Sequence, residues 1–135
     1  MIRILVVDDN EDITFSIKKM LEKMDKDYSV TCAHNADEAF TFAKKDEYDL
    51  IILDIMMPGK DGIIFSEQLK QDDKTKNIPI IFLTAKTDEQ TKKDVSYISA
   101  DLVTKPIEPM LLDVAIKKAL KDTGSIKYIK TMLDE

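Results

Sequence analysis

Five polar side chains stand at the ends of short apolar runs, and their types suit one kind of chemistry. Asp8 and Asp9 close Ile4-Leu5-Val6-Val7, Asp54 closes Leu50-Ile51-Ile52-Leu53, Thr84 closes Ile80-Ile81-Phe82-Leu83, and Lys105 follows Leu102-Val103-Thr104. Three carboxylates brought close together repel, and a divalent cation is the least costly remedy. Magnesium fits an all-oxygen set of this kind, because it binds through one or two carboxylates plus waters and shares them with a phosphoryl group. A carboxylate can also act as nucleophile and form an aspartyl phosphate, which is the part open to Asp54. Such a transfer needs neutralised charge more than it needs a base. Lys105 can supply a point cation and Thr84 a hydroxyl donor, while the small Ala85 keeps the approach open. Taken singly, each residue has a plainer explanation: a polar strand terminus for Asp54, a strand-end hydroxyl for Thr84, a solvated amine for Lys105. As an ordered set they are hard to attribute to chance.

Convergence of these groups requires a particular scaffold. Leu50 to Leu53 shows no alternation, as a strand covered on both faces of a parallel sheet requires, and Pro58-Gly59 signals a turn soon after. Further strands are expected at Arg3–Val7, Tyr28–Ala33, Ile80–Leu83 and Leu102–Thr104. Between them, Ile13, Ile17, Met20, Leu21 and Met24 fall at helical spacing, so residues 11–24 should form an amphipathic helix. Its acidic start complements the helix dipole, which accounts for Asp12 without any function. Asn35 with Glu38 reads as an N-cap, and Ala36, Ala39, Phe40 and Ala43 as the inward stripe of a helix ending near Lys45. Asp61 can cap a third helix over Gly62–Lys70, followed by a polar loop from Asp72 to Asn77. A weaker helical pattern spans Asp88–Tyr97. Pro109 suits a first helical turn, and Leu112, Ala115, Ile116, Ala119 and Leu120 pattern a last helix with Gly124 at its C-cap.

Five strands alternating with five helices predict an α/β fold: a doubly wound five-stranded parallel sheet with right-handed crossovers and helices on both faces. The flavodoxin-like order 2-1-3-4-5 is a general type of such sheets, and it sets strand one beside strand three. Ligands of open α/β sheets bind beyond the carboxyl ends of the strands. Asp8, Asp9, Asp54, Thr84 and Lys105 would then share one rim.

A chain of 135 residues suits a single domain of common size. Residues 1–122 read as that domain and 123–135 as a tail or one short extra helix. The formal charge of -6 argues against a nucleic-acid footprint, which would show as clustered basic surface. One cysteine, Cys32, can form no internal disulfide, and Ile4 to Val7 is too short for a secretory or membrane segment. A soluble, reducing, cytoplasmic setting is expected, with no membrane association. Cys32 reads as a small buried hydrophobe and His34 as a loop residue.

With these residues in view, the chain resembles the receiver domain of two-component response regulators over Ile2 to Asp122. The resemblance is carried by Val6-Val7-Asp8-Asp9-Asn10, by Leu53-Asp54-Ile55-Met56-Met57-Pro58-Gly59-Lys60-Asp61-Gly62, by Leu83-Thr84-Ala85 and by Thr104-Lys105-Pro106. It implies that Asp54 takes a phosphoryl group from a histidine kinase or phosphotransfer protein, with the receiver catalysing the transfer and acting as a signalling switch. It further implies magnesium held directly by Asp9, Asp54 and the backbone carbonyl of Met56, with Asp8 acting through a bound water. Lys105-Pro106 would be a cis peptide. The implied partners are the phosphodonor and a downstream protein, and the chain is expected to be a monomer.

Two positions depart from the family pattern. Leu102 stands where an aromatic ring is usual, three residues before the lysine. Ser99-Ala100 replaces a Gly-Ala pair, with one residue fewer overall. Both bear on the switch and output surface and not on the acid site. A flavin site on the same topology would need a Gly/Ser/Thr-rich phosphate loop, whereas Asp8-Asp9-Asn10-Glu11-Asp12 would repel a phosphate. A phosphatase with an aspartyl nucleophile after strand one would want alternate aspartates, and here they are adjacent. Switch, phosphate relay or sink, and fragment of a longer protein all stay open.

Overall fold

The computed structural model describes residues 1–57, 60–85 and 101–122. Its elements run β1 (Ile2–Val7), α1 (Glu11–Met24), β2 (Tyr28–Ala33), α2 (Ala36–Lys45), β3 (Leu50–Asp54), β4 (Met56–Met57), β5 (Lys60–Asp61), α3 (Gly62–Gln71), β6 (Ile80–Thr84), β7 (Asp101–Thr104) and α4 (Pro109–Asp122). Five strands form one parallel sheet in the order β2-β1-β3-β6-β7. Numbered among themselves, those five follow the expected order 2-1-3-4-5. The expected helix over Asp88–Tyr97, the Ser99-Ala100 departure, the Pro58-Gly59 turn, the Gly124 cap and the tail all lie outside the described residues.

Every residue of β3 is buried, as its unbroken apolar run demands. Alternate side chains of the sheet feed two cores. Ile4, Val6, Ile52 and Leu83 pack with Ile17 and Leu21 of α1 and with Leu112 and Ile116 of α4. Leu5, Val7, Leu53 and Phe82 pack with Ala36, Ala39 and Ala43 of α2 and with Phe65 and Leu69 of α3. Helices on both faces follow from this division, and so does the burial that drives folding.

The local signals in the sequence act as read. Asn35 Oδ1 accepts the Glu38 amide at 2.8 Å, and Asp61 Oδ1 accepts the Ile63 amide at 2.7 Å. Two expectations need correction. Met24 is 37% exposed at the last position of α1, where the inward stripe ends with buried Leu21. Cys32 is only partly buried, since it lies on the edge strand β2, where its thiol donates to the Thr14 carbonyl at 3.5 Å. Beyond β3, β4 and β5 form a two-stranded antiparallel ribbon that leads straight into α3.

Candidate functional site

β1 and β3 are hydrogen-bonded neighbours, with Val7 opposite Leu53, so the residues that follow each of them emerge side by side. Carboxylate oxygens of Asp8, Asp9 and Asp54 lie within 4.8 Å of one another. Asp8 and Asp54 are buried, at 1% and 4% exposure, whereas Asp9 faces solvent. Backbone on both sides holds Asp8: the Asn10 amide of the β1–α1 loop donates to Asp8 Oδ1 at 3.0 Å, and the Asp8 amide donates to the carbonyl of Ala33 at the end of β2 at 3.1 Å. Asn10 in turn caps α1 by accepting the amides of Asp12 and Ile13. The ribbon holds Asp54 in a similar way: the Met56 amide donates to Asp54 Oδ1 at 3.1 Å.

Lys105 reaches the same point from the far side of the sheet. The end of β7 is set by register, with Thr104 opposite Thr84, and by the Lys105 amide donating to the Thr84 carbonyl at 2.8 Å. The Lys105-Pro106 peptide that follows is cis. From there Lys105 Nζ donates to Asp8 Oδ2 at 3.0 Å and to Asp54 Oδ2 at 3.4 Å. Thr84 is fully buried at the end of β6, one residue beyond Leu83, which lies opposite Asp54.

The electrostatics are those of a site short of positive charge. Burial pushes the Asp54 carboxyl above its ordinary range; the Met56 amide pulls it back, the Asp8 charge pushes it up again, and Lys105 pulls it down without reversing the balance. For Lys105, burial pulls the ammonium down, yet the hydrogen bond to Asp8 and the charges of Asp54 and Asp8 outweigh it and hold the amine above its usual value. The ammonium therefore gains from its setting while Asp54 does not, because burial of the carboxyl and the neighbouring Asp8 charge outweigh what the Met56 amide and Lys105 return. An all-oxygen donor set with excess negative charge suits a hard divalent cation.

Of the residues read from the sequence, Asp8, Asp9, Asp54 and Lys105 come together directly, Thr84 ends the adjacent strand and Met56 bonds Asp54 through its amide. Leu102 lies apart. It is partly buried opposite Phe82, within the core that faces α2 and α3. His34, read as a loop residue, has partners on two helices: its Nε2 lies 3.1 Å from Thr14 Oγ1 and its Nδ1 3.4 Å from Glu38 Oε1. Gly62 received no role from the sequence, and it sits against the Asp54 peptide. Glycine at the first position of a predicted helix was the signal available for it, since it is a poor helix former.

A family model for the response regulator receiver domain matches residues 4–117. The chain belongs to that family. This receiver domain is 35% identical over 127 residues to the transcriptional regulatory protein ResD of Bacillus subtilis, which covers 93% of this chain and 51% of ResD. It is 34% identical over 121 residues to PilH of Pseudomonas aeruginosa, covering 89% of this chain and 98% of PilH. Among solved structures, the chemotaxis protein CheY4 of Vibrio cholerae superposes with a TM-score of 0.81 at 28% identity, over 88% of this chain and 98% of that one. The receiver domain spans about half the length of several curated relatives, ResD among them. Receiver domains are regulatory modules of two-component signalling, and the parallel sheet and acidic cluster here are those of the family. Among the described residues, no helix is long and apolar enough to cross a membrane.

Proposed function

We propose that Asp54 is the phosphoacceptor of a phosphorelay step. An Asp54 carboxylate oxygen attacks the phosphorus of a phosphohistidine, protonated on its other ring nitrogen, on a histidine kinase or phosphotransfer protein; the new P–O bond forms as the P–N bond breaks, and the imidazole leaves neutral, keeping that proton. Asp9, Asp54 and the Met56 carbonyl would hold magnesium, with Asp8 acting through water. When bound, the cation neutralises charge on the phosphoryl oxygens. Lys105 adds a second positive charge to those oxygens, and the Thr84 hydroxyl donates to one of them. The same groups let the domain assist its own phosphorylation and later its hydrolysis.

The observation that carries this reading is Lys105 Nζ set at 3.0 and 3.4 Å from two buried carboxylates that also share a cluster with Asp9. Residues 1–122 act as the receiver, 123–135 as a tail, and the module works as a cytoplasmic monomer that signals to a downstream protein through the face that includes Leu102. It binds neither nucleic acid nor membrane. Incubation with acetyl phosphate and magnesium should add one alkali-labile phosphoryl group by intact mass, and Asp54→Ala should abolish it. Labelling that persists in Asp54→Ala would refute the assignment.

A further inference from the structure

Gly62 opens α3 directly against the peptide that carries Asp54. A Cβ built on Gly62 would lie 2.4 Å from the Asp54 carbonyl oxygen and 2.9 Å from Ile55 Cα, and both of these are backbone atoms with no rotamer to change. Its φ lies outside the left-handed region, so no turn geometry demands glycine here. Helix propensity would favour alanine. Space is therefore the reason for the residue.

The neighbouring bonds show what that space protects. The Gly62 amide donates to the Ile55 carbonyl at 2.8 Å, and β4 pairs with β5 so that Met56 stands opposite Asp61. The Met56 amide donates to the Asp54 carboxylate, while Asp61 caps α3. Residues 54–57 thus leave β3 and residues 60–62 return to the same peptide, where Gly62 meets it. Retreat of α3 would draw buried Phe65 and Leu69 out of the core they share with Leu53, Ile55 and Met57, so the helix is held against the strand.

We propose that Gly62 is a positioning residue for Asp54: by letting α3 touch the Asp54–Ile55 backbone, it sets where the acceptor carboxylate and the Met56 amide and carbonyl stand. The inference rests on Asp54 being the acceptor. Ordinary van der Waals contact begins at 3.4 Å, so a methyl group 2.4 Å from the carbonyl must displace the backbone by about 1 Å. A misplacement of that size at reacting atoms can lower a rate on the order of 100-fold.

The test compares wild type, Gly62→Ala and the destabilised control Leu21→Ala, which trims a buried side chain of α1. Labelling rate is measured against acetyl phosphate concentration at saturating magnesium, and the Met56 amide resonance is followed in metal-free protein. Gly62→Ala should lower the maximal rate on the order of 100-fold with the donor half-saturation little changed, and it should shift the Met56 amide out of its hydrogen-bonded position. Leu21→Ala should do neither while folded. Equal rates in wild type and Gly62→Ala would overturn the positioning role and leave Asp54 as acceptor, whereas no labelling of wild type would overturn the acceptor itself. If Gly62→Ala does not fold, the measurement is repeated in trimethylamine N-oxide, which favours the compact state. A variant unfolded even there would overturn the proposal, because a purely structural role then accounts for the glycine.

Discussion

Replacing Lys105 with methionine keeps most of the side-chain volume and removes the cation between Asp8 and Asp54. Two carboxylates at 1% and 4% exposure would then lose the ammonium that pairs with both. Breaking a fully buried pair in this way costs about 3–5 kcal/mol. The Lys105 side chain is 23% exposed, so solvent already screens part of the interaction and roughly 2–3 kcal/mol is the appropriate figure at neutral pH without divalent cations. For a domain of this size that corresponds to a fall in Tm of roughly 6–15 °C. The sign of the pH dependence follows from the carboxyls. Asp54 already titrates above its ordinary range because burial disfavours its charge, and losing Lys105 raises it further. A group whose folded-state pKa is raised contributes stability below its unfolded pKa and loses it as pH rises through the folded value. The variant should therefore melt close to wild type at pH values below the ordinary aspartate range and fall behind as pH rises to neutrality. Magnesium should recover much of the deficit by mass action on the folded state. The assay is thermal unfolding by circular dichroism from acid to neutral pH, with and without magnesium. A deficit of equal size at all pH values, or none at neutral pH, would refute the claim that Lys105 compensates these carboxylates.

Asp9→Ala should abolish the magnesium-dependent rise in Tm while leaving the metal-free protein at least as stable, because an exposed, repulsive carboxylate is removed; an unchanged magnesium effect would exclude Asp9 as a ligand. Cys32 should react slowly with iodoacetamide at neutral pH, since burial pushes its thiol up and leaves little thiolate; mass spectrometry at rising pH should show alkylation accelerating only in the alkaline range. Lys18 Nζ donates to the Val30 carbonyl at 2.8 Å and Glu22 Oε2 accepts the Val30 amide at 3.0 Å, so this helix pair covers the free edge of β2. The double variant Lys18→Ala/Glu22→Ala should expose that edge and promote self-association in sedimentation experiments; a variant that sediments as wild type does would show that the cover is dispensable.

Much of the architecture was legible because the relevant signals are local. Leu50 to Leu53 declares a two-sided strand by its lack of alternation, and Asn35 and Asp61 declare helix starts by side chains that reach amides two or three residues on. The acid site was legible for a related reason: in a parallel sheet the last residue of each strand is delivered to one rim, so an acid, a hydroxyl and a lysine after successive apolar runs must converge. What pattern alone could not supply is every feature that depends on distance between segments remote in sequence. That Lys105 Nζ lies nearer to Asp8 than to Asp54 follows from the reach of one side chain beyond the end of β7. That His34 lies between Thr14 and Glu38 depends on how α1 and α2 flank the β2–α2 turn. The two-residue strands β4 and β5 are too short to carry periodicity, so the Pro58-Gly59 turn signal between them is all the sequence offers for the ribbon returning from Asp54 to α3. Gly62 belongs with these. Its identity is plain in the sequence, but its reason is the 2.4 Å between a missing Cβ and the Asp54 carbonyl, a distance that exists only once the ribbon has brought the helix back to the strand it left.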